Sequence, residues 1–273
     1  MPAPNEITCQ HLFRLIGTPH CPVIVDMRLV DDFAVDPRLI PSSIRHSHTD
    51  IPGLMRRLQG RPSVIACHRG QKLSQVMVSA LQAEGLTSEY LSGGAQAWAE
   101  SGAPMVPVAA VPFDPDGQTC WITRTRPKID RIACPWLIRR FVDPNARFLF
   151  VADSEVGTGA SMFNATPFDT QDAPFTHEGD HCTFDVMLDR FCLHTPALDR
   201  MALAIRAADT NRQDMHPVAA GLLAVSVGLS RQFRNDQAQL EAGLALYDAL
   251  YRWARDGHSE GHDWPSPPAV QRT

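Results

Sequence analysis

The segment from Ala103 to Gln118, APMVPVAAVPFDPDGQ, carries Pro104, Pro107, Pro112 and Pro115. Each proline fixes one φ angle and removes one N–H donor. Prolines at this spacing exclude both a helix and a central strand. The segment reads as a linker between domains. Two units are therefore expected, residues 5–107 and 119–258, joined by a partly extended linker at 108–118. The end of the chain, 259–273, is expected to fray.

Before the seam, short apolar runs alternate with helical patterns. Pro22-Val23-Ile24-Val25-Asp26, Ser63-Val64-Ile65-Ala66 and Glu89-Tyr90-Leu91 read as strands. Leu73 to Glu84 reads as a helix that Gly85 ends. Gly93-Gly94 opens another, running through Ala97 and Trp98. Strands separated by helices predict a parallel sheet with helices on both faces. Ligands in such sheets bind at the carboxyl ends of the strands.

One of those ends leads into CHRGQKLS, starting at Cys67. A thiol attacks as its thiolate, which positive surroundings favour. Arg69 and Lys72 supply charge, and the next helix directs its N-terminus at the loop. Gly70 permits conformations closed to other residues. With His68 and Gln71, the loop can turn successive N–H groups inward as an anion nest. The chemistry expected is attack on an anionic sulfur donor by Cys67. The competing reading is an inert buried cysteine at a strand end.

The hydrophobic fraction of 44% and charged fraction of 20% are those of a globular protein, and the net charge of -5 gives no reason to expect a nucleic-acid partner. There is no apolar run of membrane-spanning length and no secretory signal pattern at Met1. Seven cysteines without a C-x-x-C pair suggest reduced thiols and a cytoplasmic location.

After the seam, Trp121-Ile122-Thr123 and Arg147 to Val151 read as strands, with a helix between them over Ile132 to Phe141. Helices dominate beyond Asp180. Leu198, Met201, Ile205 and Ala208 recur at helical spacing, as do Leu240, Leu244, Tyr247 and Tyr251. Val218 to Leu229 is apolar nearly all round and is expected to be the buried central helix. The unit is thus mainly α-helical with a few strands.

Two polar stretches stand out. TRTRPKIDRIACP carries Arg124, Arg126, Lys128 and Arg131 ahead of Pro135, which fits the first turn of a helix. Arg124, Arg126 and Arg131 are candidates for an oxyanion site, the alternative being a solvated cationic face. Asp130 is expected to cap the helix or pair with an arginine. FTHEGDHCTFD carries His177, Asp180 and Cys182. A strand would separate these side chains, whereas a turn at Gly179-Asp180 would gather them. Mixed N, O and S donors would suit zinc or iron. Asp209 and His216 are further candidate ligands. The alternative is an ordinary turn, with Asp180 capping a helix and Cys182 buried.

Residues 5–107 resemble a single-domain rhodanese. VIVDMR resembles that family's apolar strand ending in Asp-x-Arg, and LIPSSIRHS its following segment, without the usual His and Gly. CHRGQKLS matches its active-site loop and YLSGGAQAW its closing signature. The resemblance implies that Cys67 carries a sulfane sulfur as a persulfide, with no cofactor. It also implies that Asp26 and Arg28 brace the fold and that Trp98 lies in the core. Leu73 stands where a small polar residue is usual, with Ser74 displaced by one. Related phosphatase and arsenate-reductase loops need arginine at that sixth position, so Leu73 argues against those activities.

Residues 119–256 resemble the C-terminal domain of the chromate-resistance (ChrB-type) family. The likeness is carried by WITRTRPKIDRIACPWLIRRFVDPNARFLFV, ATPFD, FTHEGDHCTFD, IRAADT, AAGLLAVSVGLS and LEAGLALYDALYRWARD. It implies a role in chromate sensing or resistance and strengthens both candidate ion sites. The expected function is a rhodanese-type sulfurtransferase, taking a small anionic donor and a thiol acceptor. It would be coupled to a domain that binds an oxyanion such as chromate, or a metal, in oxidative stress. The alternative is a non-enzymatic chromate, metal or redox sensor.

Overall fold

The computed structural model describes residues 5–261. The expected tail beyond 261, with His262, lies outside the described residues.

Seven strands and five helices form the first unit. In chain order these are β1 (Glu6–Ile7), α1 (Cys9–Leu15), β2 (Val23–Asp26), α2 (Val30–Val35), β3 (Arg38–Leu39) and β4 (Ser43–Arg45). Then follow α3 (Ile51–Leu58), β5 (Ser63–Ala66), α4 (Lys72–Ala83), β6 (Ser88–Leu91), α5 (Gly94–Glu100) and β7 (Val106–Pro107). Five strands make a parallel sheet in the order β1-β6-β5-β2-β4. Successive strand residues face opposite sides. Accordingly Ile24, Val64 and Leu91 pack into one core beside Leu12 and Trp98. Their neighbours Val25, Ile65 and Tyr90 pack into another, beside Leu54, Met77 and Leu81. Helices cover both faces, which is why β2 and β5 lack polar alternation.

The proline-rich seam runs along the protein rather than away from it. Val106 and Pro107 pair antiparallel with Leu39 and Arg38, and Met105, Val106 and Val111 are buried. The core here continues into the second unit. Gly17, at φ +80°, sits where a Cβ would fall 2.4 Å from Phe141 Cζ, so the contact between the halves requires glycine. The Ser42 N–H donates to the Phe141 carbonyl at 2.7 Å.

The second unit opens with β8 (Cys120–Arg124), α6 (Asp130–Leu137), β9 (Arg147–Val151), α7 (Val156–Phe163) and β10 (Thr166–Pro167). Helices α8 (Thr183–Phe191), α9 (Pro196–Asp209), α10 (Ala219–Gln232) and α11 (Asp236–Arg252) complete it. The strands form a small parallel sheet, β10-β8-β9. Trp121 anchors the core with Phe168, Phe175 and Phe191 around its ring.

Two expectations fail here. Helix α6 begins at Asp130, so Pro135 lies inside it rather than in its first turn. The missing proline N–H interrupts one bond, and a π-helical turn, Ile138–Val142, follows. Helix α10 is not central. Ala219, Leu222, Ser226 and Ser230 form its buried stripe, while Val225 and Val227 are 48% and 38% exposed. Its polar residues are short serines that the core accepts, so composition alone hid which face turns inward. The buried helical stripes belong to α9 and α11.

Candidate functional site

Cys67 follows the carboxyl end of β5, between its neighbours β2 and β6. The loop rests on the start of α5: the N–H groups of Ala95 and Gln96 donate to the carbonyls of Cys67 and His68 at 2.9 and 3.0 Å. Gly70, at φ +63°, and Gly94, also at φ +63°, make this approach possible. A Cβ on Gly94 would lie 2.3 Å from the Cys67 carbonyl oxygen, and one on Gly70 the same distance from that of Leu91. With its carbonyls drawn toward α5, the loop leaves its amides over. Among the described residues, no acceptor takes the N–H of His68, Arg69, Gly70 or Gln71.

The Cys67 residue is 6% exposed. Its Sγ lies 3.2 Å from Ser74 Oγ and 3.9 Å from the Gln71 carbonyl oxygen. Arg69, Gln71 and Lys72 form the exposed rim, and His68 and Leu73 are half-buried. Ser74, one position out of register with the family's small polar residue, is the side chain that meets the sulfur. It reaches the sulfur because it lies in the first turn of α4, facing inward. Below the loop, Arg28 grips the buried carboxylate of Asp26 through Nε and Nη2 at 2.9 and 2.5 Å. Its remaining donors reach the carbonyls of Asp36 and Arg38. This pair ties the strand end to the chain at Asp36 and Arg38, and neither side chain is among the sulfur's hydrogen-bond partners in the described residues.

A second constellation lies in the other unit. His177 Nε2 is 3.2 Å from Asp209 Oδ2, 3.5 Å from Asp169 Oδ1 and 3.6 Å from Asp130 Oδ2. The ligand atoms of Asp130, His177 and Asp209 all fall within 4.8 Å of one another. Asp130 is fully buried at the start of α6, and its Oδ2 accepts from the Thr183 N–H at 2.6 Å. Burial first, then the charges of Asp209 and Asp169, push its carboxyl well above the usual range. Hydrogen bonds that the His177 imidazole donates to the Asp169 and Asp209 carboxylates raise its pKa to about 10.

The expected ligands divide accordingly. His177 and Asp209 meet. Asp180 does not join them: the turn from Glu178 to His181 directs it outward to Arg212, at 3.2 Å. Nor does it cap α8, where Asp185 instead accepts from the Cys182 N–H at 3.0 Å. Cys182 is fully buried, and its thiol pKa is pushed up by burial and by Asp130. His216 stands against the Trp253 ring. Asp130 and Asp169 take the places of Asp180 and Cys182. Asp169 was missed because only the loop after β10 brings it beside His177: its N–H donates to the Phe175 carbonyl at 2.9 Å.

The arginines divide too. Arg126 and Arg131, with Thr125, Lys128, Ser230 and Arg231, line a cavity of about 430 Å³. Ser230 Oγ is buried there without a hydrogen-bond partner. Arg124 is drawn away to Asp153, at 3.7 Å, and to the Asp169 carbonyl, at 3.3 Å. Arg131 belongs to both places, since its Nε lies 3.2 Å from Asp169 Oδ2.

Residues 121–254 match the ChrB, C-terminal domain family. All the residues of both constellations in the second unit fall inside that matched segment. Protein ChrB of Cupriavidus metallidurans is 37% identical over 132 residues, 48% of this chain and 39% of that protein. The chain thus spans about two fifths of that relative's length. Among solved structures, a rhodanese-related protein from Thermoplasma volcanium is 23% identical with a TM-score of 0.33, covering 37% of this chain and 97% of that one. Thiosulfate sulfurtransferase from Pseudomonas aeruginosa is 24% identical with a TM-score of 0.32, covering 38% of this chain and 19% of that one.

Proposed function

We propose that the protein is a cytoplasmic sulfurtransferase of the rhodanese type, joined to a ChrB-type domain that binds an oxyanion. The supporting observation is Cys67 at a strand's carboxyl end, with Ser74 Oγ at 3.2 Å and a loop whose amides are uncommitted. The Cys67 thiolate attacks the outer sulfur of thiosulfate. A Cys–S bond forms, the S–S bond of the donor breaks, and sulfite leaves with the bonding electron pair. The resulting persulfide anion lies among the loop N–H groups. A thiolate or cyanide then attacks its terminal sulfur, and Cys67 departs as a thiolate.

Incubation with thiosulfate followed by mass spectrometry tests this. Wild type gains one sulfur on Cys67, and Cys67→Ser gains none. A wild-type protein that takes no sulfur from thiosulfate or other persulfide donors excludes the reading.

The cationic cavity beside Arg126, Lys128, Arg131 and Arg231 favours chromate or a like-shaped dianion as the second ligand. Calorimetric titration with chromate and sulfate measures it. Binding of the anion by a wild-type protein that takes sulfur from no donor would support the sensor reading instead.

A further inference from the structure

Asp130, Asp169, His177 and Asp209 come from four separate places: the start of α6, the loop after β10, the loop before α8 and the end of α9. Their convergence is held by other groups. Thr183 donates its N–H to Asp130 Oδ2 at 2.6 Å and its hydroxyl to Asp169 Oδ1 at 3.0 Å. Arg131 Nε lies 3.2 Å from Asp169 Oδ2, and the Asp130 N–H donates to Asp209 Oδ1 at 3.4 Å. Asp130 and Asp209 are thus each oriented through one oxygen and Asp169 through both, as ligands of a bound cation are oriented by their neighbours.

One oxygen is left over. Asp130 Oδ1 is buried with no hydrogen-bond partner, in a residue 0% exposed. Leaving such an acceptor unmet costs its full desolvation, so native proteins rarely do it. Three carboxylates at one point also repel one another and any oxyanion. The neighbouring cations are one guanidinium and one imidazole.

We propose that Asp130, Asp209 and His177, with Asp169 beside them, form a centre for a divalent first-row metal, Mn²⁺ or Fe²⁺. Carboxylate oxygens suit Mn²⁺, an imidazole suits Fe²⁺ among other transition metals, and calcium sites are built from oxygen alone; three carboxylates to one imidazole favour the harder end, Mn²⁺ or Fe²⁺. Soft, thiolate-seeking metals are disfavoured because Cys134 and Cys182 lie in the apolar core. A divalent ion with a neutral His177 leaves the three carboxylates and Arg131 without net charge. This deepens the reading of the ChrB-type domain as ion-binding by separating a cation centre from the neighbouring anion cavity. It does not depend on sulfur transfer at Cys67.

The test uses the full chain, stripped with a chelator and titrated with MnCl₂. Free Mn²⁺ is followed by its electron paramagnetic resonance and binding heat by calorimetry. One Mn²⁺ per chain is expected. Asp209→Asn and His177→Gln should each weaken it by about tenfold or more. Asp180→Asn should bind as wild type. His177 is 40% exposed, so His177→Gln remains informative should Asp209→Asn fail to fold. Wild type binding neither Mn²⁺ nor Fe²⁺, or both variants binding like wild type, overturns the proposal. Binding lost only in Cys182→Ser also overturns it, by placing the metal on the thiol. Chromate titration and the Cys67 persulfide assay, run on the same preparation, report separately on the other two sites.

Discussion

Ser74 Oγ lies 3.2 Å from Cys67 Sγ and 3.0 Å from the Gln71 carbonyl oxygen. The hydroxyl has one proton and two possible acceptors. It donates to Gln71 while the sulfur is a thiol and can turn to the sulfur once that is an anion. Ser74→Ala is therefore expected to slow persulfide formation about ten- to a hundredfold, the worth of one hydrogen bond to a charged group. Single-turnover rates with thiosulfate measure it. An unchanged rate would leave Ser74 only a role in fixing the start of α4.

Gly94→Ala should damage the loop without touching the sulfur. The new Cβ would meet the Cys67 carbonyl oxygen at 2.3 Å and the Gly70 nitrogen at 2.4 Å, at a φ of +63°. A loss of about 1–3 kcal/mol of stability is expected from the backbone conformation alone. Urea denaturation reads the stability, and the persulfide assay should show transfer falling with it.

Asp26→Asn removes one partner of an ion pair whose side chains are 2% and 3% exposed. Arg28 keeps its carbonyl contacts but loses its counter-charge. A cost of about 3–5 kcal/mol is expected, as for other broken buried pairs. A shift of the urea midpoint at constant m-value would show it. A neutral result would mean that Arg45, 3.5 Å from Asp26, and Phe33 beneath both guanidinium groups carry the brace.

Arg231→Ala removes a cation from the cavity that holds Arg126, Lys128 and Arg131. Chromate or sulfate affinity should fall about tenfold, in line with one charge-assisted contact. Mn²⁺ affinity should stay unchanged, because Arg231 is not part of the carboxylate cluster. Parallel titrations on one protein sample distinguish the two effects.

Val225→Lys tests the placement of α10. Val225 is 48% exposed, so the substitution should change stability by no more than about 0.5 kcal/mol. A central helix would lose several times that. Thermal melts of both proteins decide it.

The parallel α/β layout of the first unit was legible because both faces of its sheet are buried. Runs such as Val23-Ile24-Val25 cannot belong to a solvated surface, and Cys67 at a strand end follows from the same reading. Ser74 was not legible as the sulfur's partner, since the loop's turn, set by Gly70 against the Leu91 carbonyl, decides which side chain of α4 faces inward. In the second unit, His177 and Asp209 were recognisable as donors. Asp130 read as a cap and Asp169 drew no attention. Asp180, close to His177 in sequence, points away from it because Gly179, at φ +61°, turns the chain between them.

By itself the sequence determined what local chemistry determines: strand and helix types, a cysteine loop at a strand's end, and the paired Asp26 and Arg28. Tertiary structure alone decided which face of α10 is buried and which carboxylates surround His177. Asp130 and Asp209 are separated by most of the domain, and nothing in their local sequence encodes their meeting. Only the packing of α6 against α8 and α9 brings those charges to one point.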